Sequence, residues 1–290
     1  MIVNADCIEH LKTIEDNYFD SVVTDPPYHL TSIAKRFTNS TEAKYGKDGS
    51  FQRLSKGFHG HKWDGGDIAF TTDLWKEVYR TIKPGAVLLA FSATRNYHKM
   101  ATAIENSGFE IMDMINWIYG SGFPKRKNLL KPAHEPIVMA RKGVNKDLNL
   151  DECRVNGDNP KKWTKPKGGF WKTDPNAKAK YIENTKGRWP ANIIHDGLDE
   201  EWAKYFYSAK ASKKEKDGSN HPTVKPVSLM RYLVKLVTPK DGLVLDPFAG
   251  TGTTGEACIL EGRNYYLIEK TKEYISDIEK RINKYDRLGI

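Results

Sequence analysis

Apolar positions along this chain follow two alternating periods. Short apolar, β-branched runs at 21–25, 86–91, 111–117, 136–140, 243–246 and 265–268, with a fainter one at 1–5, have the length and composition of strands. Between them, apolar residues recur every three or four positions over 7–14, 74–82, 96–107, 228–237, 253–261 and 272–284, which predicts helices with one buried face. Lys83-Pro84-Gly85 and Gly108 are stop signals for the helices they follow. Strands alternating with helices predict an α/β fold, a mainly parallel sheet covered on both faces.

Two segments break the pattern. Residues 31–63 are polar and basic, with seven Lys/Arg against two acids, and read as a long mobile loop. Residues 143–219 lack sustained periodicity yet carry Trp163, Trp171, Trp189 and Trp202, four of the seven tryptophans, and read as an insertion. The expected division is therefore 1–142, the insertion 143–219, and 220–290, with the first and third parts sharing one sheet.

Composition narrows the class of partner. The chain has 290 residues, enough for one large or two modest domains, and 46 Lys+Arg against 37 Asp+Glu give a net charge of +9. That surplus points to a polyanion. Its longest apolar run, 86–91, is far below the ~20 residues of a membrane span, and no export signal opens the chain. Cys7, Cys153 and Cys258 are too scattered for a disulfide framework, so a soluble cytoplasmic protein is expected. Cys258 reads as core packing and Cys153 as an incidental loop thiol.

The strand 243–246 runs into Pro247-Phe248-Ala249-Gly250-Thr251-Gly252-Thr253-Thr254-Gly255 and then a helix. Glycines there let the backbone turn tightly and approach a ligand. The next strand ends in Glu269, followed by Lys270, and an acid at that tip suits the two hydroxyls of a ribose. Any adenosine-containing cofactor, NAD included, fits this much. At the other end of the chain, Asp25-Pro26-Pro27-Tyr28 follows a strand. Two prolines remove two N–H donors and end the strand, leaving a carboxylate, a carbonyl and an aromatic ring on a rigid segment. Such a group can accept both hydrogens of an exocyclic amine while the ring stacks on the attached base.

Asp246-Pro247-Phe248-Ala249-Gly250 with Gly252, Thr253 and Thr254 resembles the cofactor motif of amino-methylating DNA methyltransferases. With Asp25–Tyr28 first, the insertion second and that motif last, the chain resembles the β class of that family, and two further segments resemble phage-type DNA methylases: Lys131–Pro136 and Arg188–Gly197. The resemblance implies a circularly permuted class I methyltransferase fold with a seven-stranded, mostly parallel sheet. It implies S-adenosylmethionine as methyl donor, S-adenosylhomocysteine as product, and double-stranded DNA as substrate. The methyl acceptor would be the N6 amine of a flipped-out adenine. Asp25, Pro26, Pro27 and Tyr28 would be the catalytic segment. His221, Pro222, Thr223 and Lys225, in a loop resembling the motif that closes over the cofactor's methionine end, would assist, as would Asp6 and Cys7 and Asp25 itself. A homodimer and a cognate restriction endonuclease are partners known in such systems.

Aromatics interleave with lysines over 161–188, which suits phosphate neutralisation with base or sugar contact. Lys161, Lys162, Lys165, Lys167, Trp171, Lys172 and Arg188 are the DNA contacts expected there. Lys35, Arg36, Arg53 and Lys56 are expected in a lid over the flipped nucleotide, and Gly120–Pro124 as a wall of the base pocket.

Other chemistries are weaker. No cysteine follows a proline, which excludes the covalent C5-cytosine route. His59 and His61 lack ligand-spaced partners beyond Asp64 and Asp67 and read as a solvated loop; His134 and His195 read as structural. No phosphate-binding Gly-x-x-x-x-Gly-Lys-Ser/Thr loop is present. Cytosine-N4 methylation, methylation of an RNA base or protein glutamine, and an NAD-linked oxidoreductase stay open as rivals.

Overall fold

The structure is a computed structural model that describes residues 1–28, 67–119, 130, 132–155, 187–195, 211 and 224–286, with the backbone alone of three short strands at 162–163, 181–182 and 206–207. In chain order the elements are β1 (Ile2–Asn4), α1 (Cys7–Leu11), β2 (Phe19–Thr24), a 3-10 turn (Ile68–Phe70), α2 (Thr72–Thr81), β3 (Ile82–Phe91), α3 (Tyr97–Glu105), β4 (Glu110–Ile118) and β5 (His134–Arg141). The short strands β6 (Lys162–Trp163), β7 (Tyr181–Ile182), β8 (Ile193–His195) and β9 (Phe206–Tyr207) follow. The chain then forms α4 (Val227–Val237), β10 (Leu243–Asp246), α5 (Thr253–Leu260), β11 (Asn264–Glu269) and α6 (Lys272–Asp286).

The main sheet has the order β1-β11-β10-β2-β3-β5-β4-β8-β9. Its pairs are parallel except that β5 runs antiparallel to both β3 and β4. Seven of these strands are the ones expected from the apolar runs. The other two, β8 and β9, come from the 143–219 segment and lengthen the sheet at the β4 edge, while β6 and β7 pair separately.

Alternation along β3 distributes its side chains to two cores. Ala86, Leu88 and Ala90 join α1, α2 and α3 residues such as Leu11, Trp75, Val78 and Ile104 on one face. Val87, Leu89 and Phe91 join Leu229, Leu233, Val234 and Ala257 of α4 and α5 on the other. Each fully buried leucine here removes apolar surface worth about 1.5–3 kcal/mol. Leu267 of β11 packs with Ile278 and Ile282 of α6. Cys153 departs from expectation: it is 3% exposed and belongs to the second core, because 148–153 folds back against that face beside α4. Cys258 is fully buried, as core packing requires. Among the described residues no helix is long and apolar enough to cross a membrane.

This topology dictates where a ligand can sit. β10 and β2 are parallel neighbours, pairing Val244 with Ser21 and Leu245 with Val22. The next helix after β10 covers one face of the sheet and the next described helix after β2 covers the other. A crevice therefore opens beyond their carboxyl ends, the usual ligand position in doubly wound sheets.

Candidate active site

At that crevice the two motifs from opposite ends of the chain meet through Asp246. This carboxylate is 2% exposed and ends β10. Its Oδ1 accepts from the Thr24 hydroxyl at 2.7 Å and from the Phe248 amide at 3.1 Å, and its Oδ2 from the Thr254 hydroxyl at 2.5 Å. Thr24 is the last residue of β2, so this bond aligns Asp25 with the Gly-rich turn. Burial pushes the Asp246 pKa up to about 6 against the opposing pull of these donors.

The turn itself is closed by backbone bonds, Ala249 N–H to Ile268 O and Gly252 N–H to Ala249 O. Gly252 adopts φ +79, and a Cβ there would stand 2.9 Å from Ile278 Cγ2. Gly255 has a different role: its missing side chain lets α5 lie against Leu267, 2.7 Å from where a Cβ would be. Thr253 opens α5 and is buried, and Pro247 and Ala249 belong to the turn.

Glu269 ends β11 with 8% exposure, and burial raises its pKa. Its Oε2 accepts the Gly250 amide at 2.9 Å and its Oε1 the Thr271 amide at 2.7 Å. Each oxygen retains a further lone pair, so the carboxylate is oriented and still able to accept from two hydroxyls. That donor–acceptor set fits an adenosine ribose. Asp6 is more fully engaged: Oδ1 caps α1 by accepting from Ile8 and Glu9 N–H, and Oδ2 pairs with Lys270 at 3.0 Å, which together hold its pKa down, the Lys270 bond contributing most. Cys7 points into the first core, and burial pushes its thiol pKa up to about 12.

Beyond β2, the Asp25 carboxylate is held at both oxygens. Oδ1 accepts from the Tyr28 hydroxyl at 2.5 Å, and Oδ2 receives the ammonium of Lys225. The Tyr28 hydroxyl also lies 3.2 Å from Lys225 Nζ and 3.4 Å from Glu135 Oε2, while its carbonyl accepts from Asn96 Nδ2 at 2.8 Å. Burial first, then the negative charges of Asp25 and Glu135, drive the phenol pKa well above its ordinary value. Pro26 is buried and Pro27 half-buried. Lys225, expected by resemblance on the cofactor side, has its ammonium among Asp25, Glu135 and the rings of Phe91 and Tyr28.

Sequence reasoning did not assign Thr24, Asn96 or Glu135 to the site. Glu135 lies in the Lys131–Pro136 segment, whose resemblance implies no role for it, and its place depends on β5 returning antiparallel beside β3. His221, Pro222 and Thr223 lie outside the described residues. So do Lys35, Arg36, Arg53, Lys56, Lys161, Lys165, Lys167, Trp171, Lys172 and the segment 120–124. Lys162 is described only as backbone in β6, and Arg188 bridges Val155 beside the exposed ring of Trp189, over which Arg154 sits at 5.8 Å.

The chain is similar to known DNA methylases over most of its length. A family model described as DNA methylase, of the N6/N4 type, matches residues 19–280. The type II methyltransferase M.HindIII of Haemophilus influenzae is 28% identical over 93% of this chain and 90% of its own length, and M2.MboI of Moraxella bovis 25% over 98% and 87%. Among solved structures, the cytosine-N4-specific PvuII DNA methyltransferase superposes with a TM-score of 0.61 at 17% identity, over 97% of this chain and 85% of that one. M1.HpyAVI, solved with S-adenosylmethionine, superposes at 0.53 and 21% identity over 98% and 99%. Asp25–Tyr28 and the Asp246–Thr254 turn both fall inside the matched span, and the chain belongs to the DNA methylase family.

Proposed function

We propose that this DNA methylase uses S-adenosylmethionine to methylate the N6 amino group of adenine in double-stranded DNA, as a β-class enzyme. The observation that carries the reading is the Thr24–Asp246 hydrogen bond, which ties the Asp-Pro-Pro-Tyr strand to the Gly-rich turn at 2.7 Å. The adenosine end would be held by Glu269 and the Gly250–Gly252 turn, with Phe248 beside it and the Asp6–Lys270 pair at the rim. Bound there, the cofactor supplies an electrophilic methyl group on a positively charged sulfur.

The chain's own residues do the rest. An exocyclic amine conjugated to a purine is a poor nucleophile, because its lone pair is delocalised into the ring. Hydrogen bonds from its two N–H groups to the Asp25 carboxylate and the Pro26 carbonyl favour a pyramidal nitrogen whose lone pair is available. Positioned donors and acceptors of this kind supply most of the acceleration in a transfer without covalent enzyme chemistry. The base reaches Asp25 only out of the helix, at a cost of a few kcal/mol. The basic side chains of 31–63 and 161–188, with Arg188, would neutralise phosphates, and 143–219 would read the target sequence.

An acid in the first position of the tetrapeptide favours adenine over cytosine-N4. The test is Asp25→Ala. Methyl transfer to duplex DNA should fall by roughly 10³-fold or more, while S-adenosylmethionine binding by calorimetry is retained. Undiminished transfer would refute the assignment, and nucleoside analysis of the wild-type product separates N6-methyladenine from N4-methylcytosine.

A further inference from the structure

Glu135 takes no part in the reaction as described, yet its carboxylate belongs to the same cluster as Asp25. It is the second residue of β5, beside β3, whose last residue Phe91 places its ring 4.7 Å from Lys225 Nζ. Lys225 is 7% exposed, and its ammonium faces two carboxylates unequally. With Asp25 it is in close contact, whereas Glu135 Oε2 stands 3.4 Å away. Glu135 meets its other neighbours at the same remove, Tyr28 OH at 3.4 Å from Oε2 and Tyr119 OH at 3.4 Å from Oε1. A charge-assisted N–H···O bond closes to about 2.7–2.9 Å, so Glu135 is a loosely engaged acceptor next to a tightly engaged one.

That inequality matters because the amine needs the acceptor that Lys225 occupies. With Tyr28 on Oδ1 and an ammonium on Oδ2, each Asp25 oxygen keeps one lone pair, but the ammonium in contact withdraws charge from Oδ2 and weakens it as an acceptor for the amine. A buried ammonium cannot be left unpaired without a large desolvation penalty. Among the described residues, the only other carboxylate paired with it is Glu135. We propose that Glu135 is a positioning residue: when the target amine engages Asp25, Lys225 passes from Asp25 to Glu135, which frees Oδ2 as the amine's acceptor. This rests on the reading that Asp25 orients the amine. About half an ångström brings Nζ into a full bond with Glu135 Oε2, and a swing of roughly an ångström or more takes it out of bonding range of Oδ2; a single ammonium on a flexible stem makes that swing more easily than a planar guanidinium would. The amine enters neutral, so two carboxylates and one ammonium remain in the cluster before and after.

The proposal is tested by a double-mutant cycle on the full chain, with Glu135→Gln, Lys225→Met and the two combined. The readouts are kcat and KM for methylation of duplex DNA, and S-adenosylmethionine affinity by calorimetry. In Glu135→Gln the ammonium has only a neutral carbonyl as its alternative partner and stays on Asp25. Its kcat should fall roughly 10–100-fold while cofactor affinity stays within about twofold and KM for DNA moves less than kcat. Removing the ammonium as well should restore part of the rate, so the double variant should exceed Glu135→Gln by about fivefold or more. Glu135→Asp, which keeps the charge, should retain more activity than Glu135→Gln.

A Glu135→Gln enzyme at wild-type rate, or a double variant no faster than it, overturns the proposal. So does loss of cofactor affinity in Glu135→Gln, which would mark Glu135 as a support of the fold. Asp25→Ala run alongside separates the two levels of inference. If that variant still methylates, the amine-orienting role of Asp25 fails; if it is dead while Glu135→Gln is unimpaired, only the handover fails.

Discussion

At 2% exposure, Asp246 accepts three hydrogen bonds and still has its pKa pushed up to about 6, because removing a carboxylate from water outweighs what two hydroxyls and one amide return. The consequence is a pH dependence of stability with a definite sign. In the unfolded chain the group titrates at its ordinary value near 3.8. Between about 4 and 6 the folded state therefore holds the proton that the unfolded state has lost, and stability falls as pH rises through that window, by about 3 kcal/mol in total. Asp246→Asn removes the ionisation. Its carbonyl can take the place of Oδ1 for Thr24 and Phe248, and its amide can donate to a rotated Thr254 hydroxyl. Urea denaturation at pH 4.5, 5.5 and 7 should show the wild type losing stability relative to the Asn variant as pH rises. Parallel behaviour of the two proteins would contradict the burial argument.

Helices α5 and α6 hold the Gly-rich turn from behind, and the elements show how much could be read in advance. The pattern Gly250-x-Gly252-x-x-Gly255 is legible as a turn for a ligand, but its second and third glycines do separate jobs that only the packing reveals. Gly252 faces Ile278 of α6 and Gly255 faces Leu267 of β11. The buried carboxylate of Glu256, bonded to Arg281, Lys284 and Tyr285, holds α6 in that position. Gly252→Ala should thus combine a left-handed backbone penalty of about 1–2 kcal/mol with overpacking of about 1–3 kcal/mol. Gly262→Ala, at φ +64 with nothing within 4 Å of the added Cβ, carries the first cost alone. Thermal denaturation of the two variants should rank them in that order, with weakened cofactor affinity only in the former. The principal strands and helices were readable because each is long enough to show its period. The start of β3 was hidden because Pro84 and Gly85 look like a stop; the strand absorbs them in a bulge, pairing Ile82 with Phe19 and Val87 with Ser21. Strands β8 and β9, three and two residues long, show no period, and their extended form comes from pairing at the β4 edge. Glu135 and Thr24 carry no local signal for a related reason, since each meets its partner from a distant part of the chain, Lys225 and Asp246 respectively.

Over the whole molecule, the covalent order of the chain and the spatial order of the sheet are independent. β1 adds to β11 as a parallel neighbour, pairing Ile2 with Leu267 and Asn4 with Glu269. The terminal ammonium of Met1 donates to Tyr265 O at 2.8 Å, and the Asn4 side-chain amide donates to the carbonyls of Glu269 and Lys270. The last described helix, α6, packs against both strands. The chain therefore begins beside its final strand and helix, while the site is assembled across β2 and β10 by pairing and by the Thr24–Asp246 bond. Nothing in that assembly requires β10 to follow α4 in the chain. Pro239, Lys240 and Asp241, the middle three of the five residues that join them, are exposed. A chain opened between Lys240 and Asp241, with Ile290 joined to Met1 through about ten Gly/Ser residues, would place the Gly-rich turn before Asp25–Tyr28. Closing that loop costs little more than closing a shorter one, because loop entropy grows only logarithmically with length. The permuted chain should fold, bind S-adenosylmethionine and methylate DNA at a rate within about tenfold of the natural order, as exposed-turn permutations usually allow. A chain opened between Leu88 and Leu89 in the middle of β3, where both side chains are fully buried in opposite cores, should be insoluble. If the Lys240–Asp241 permutant aggregates as the β3 permutant does, the junction between α4 and β10 contributes to the fold in a way that its exposed residues do not account for.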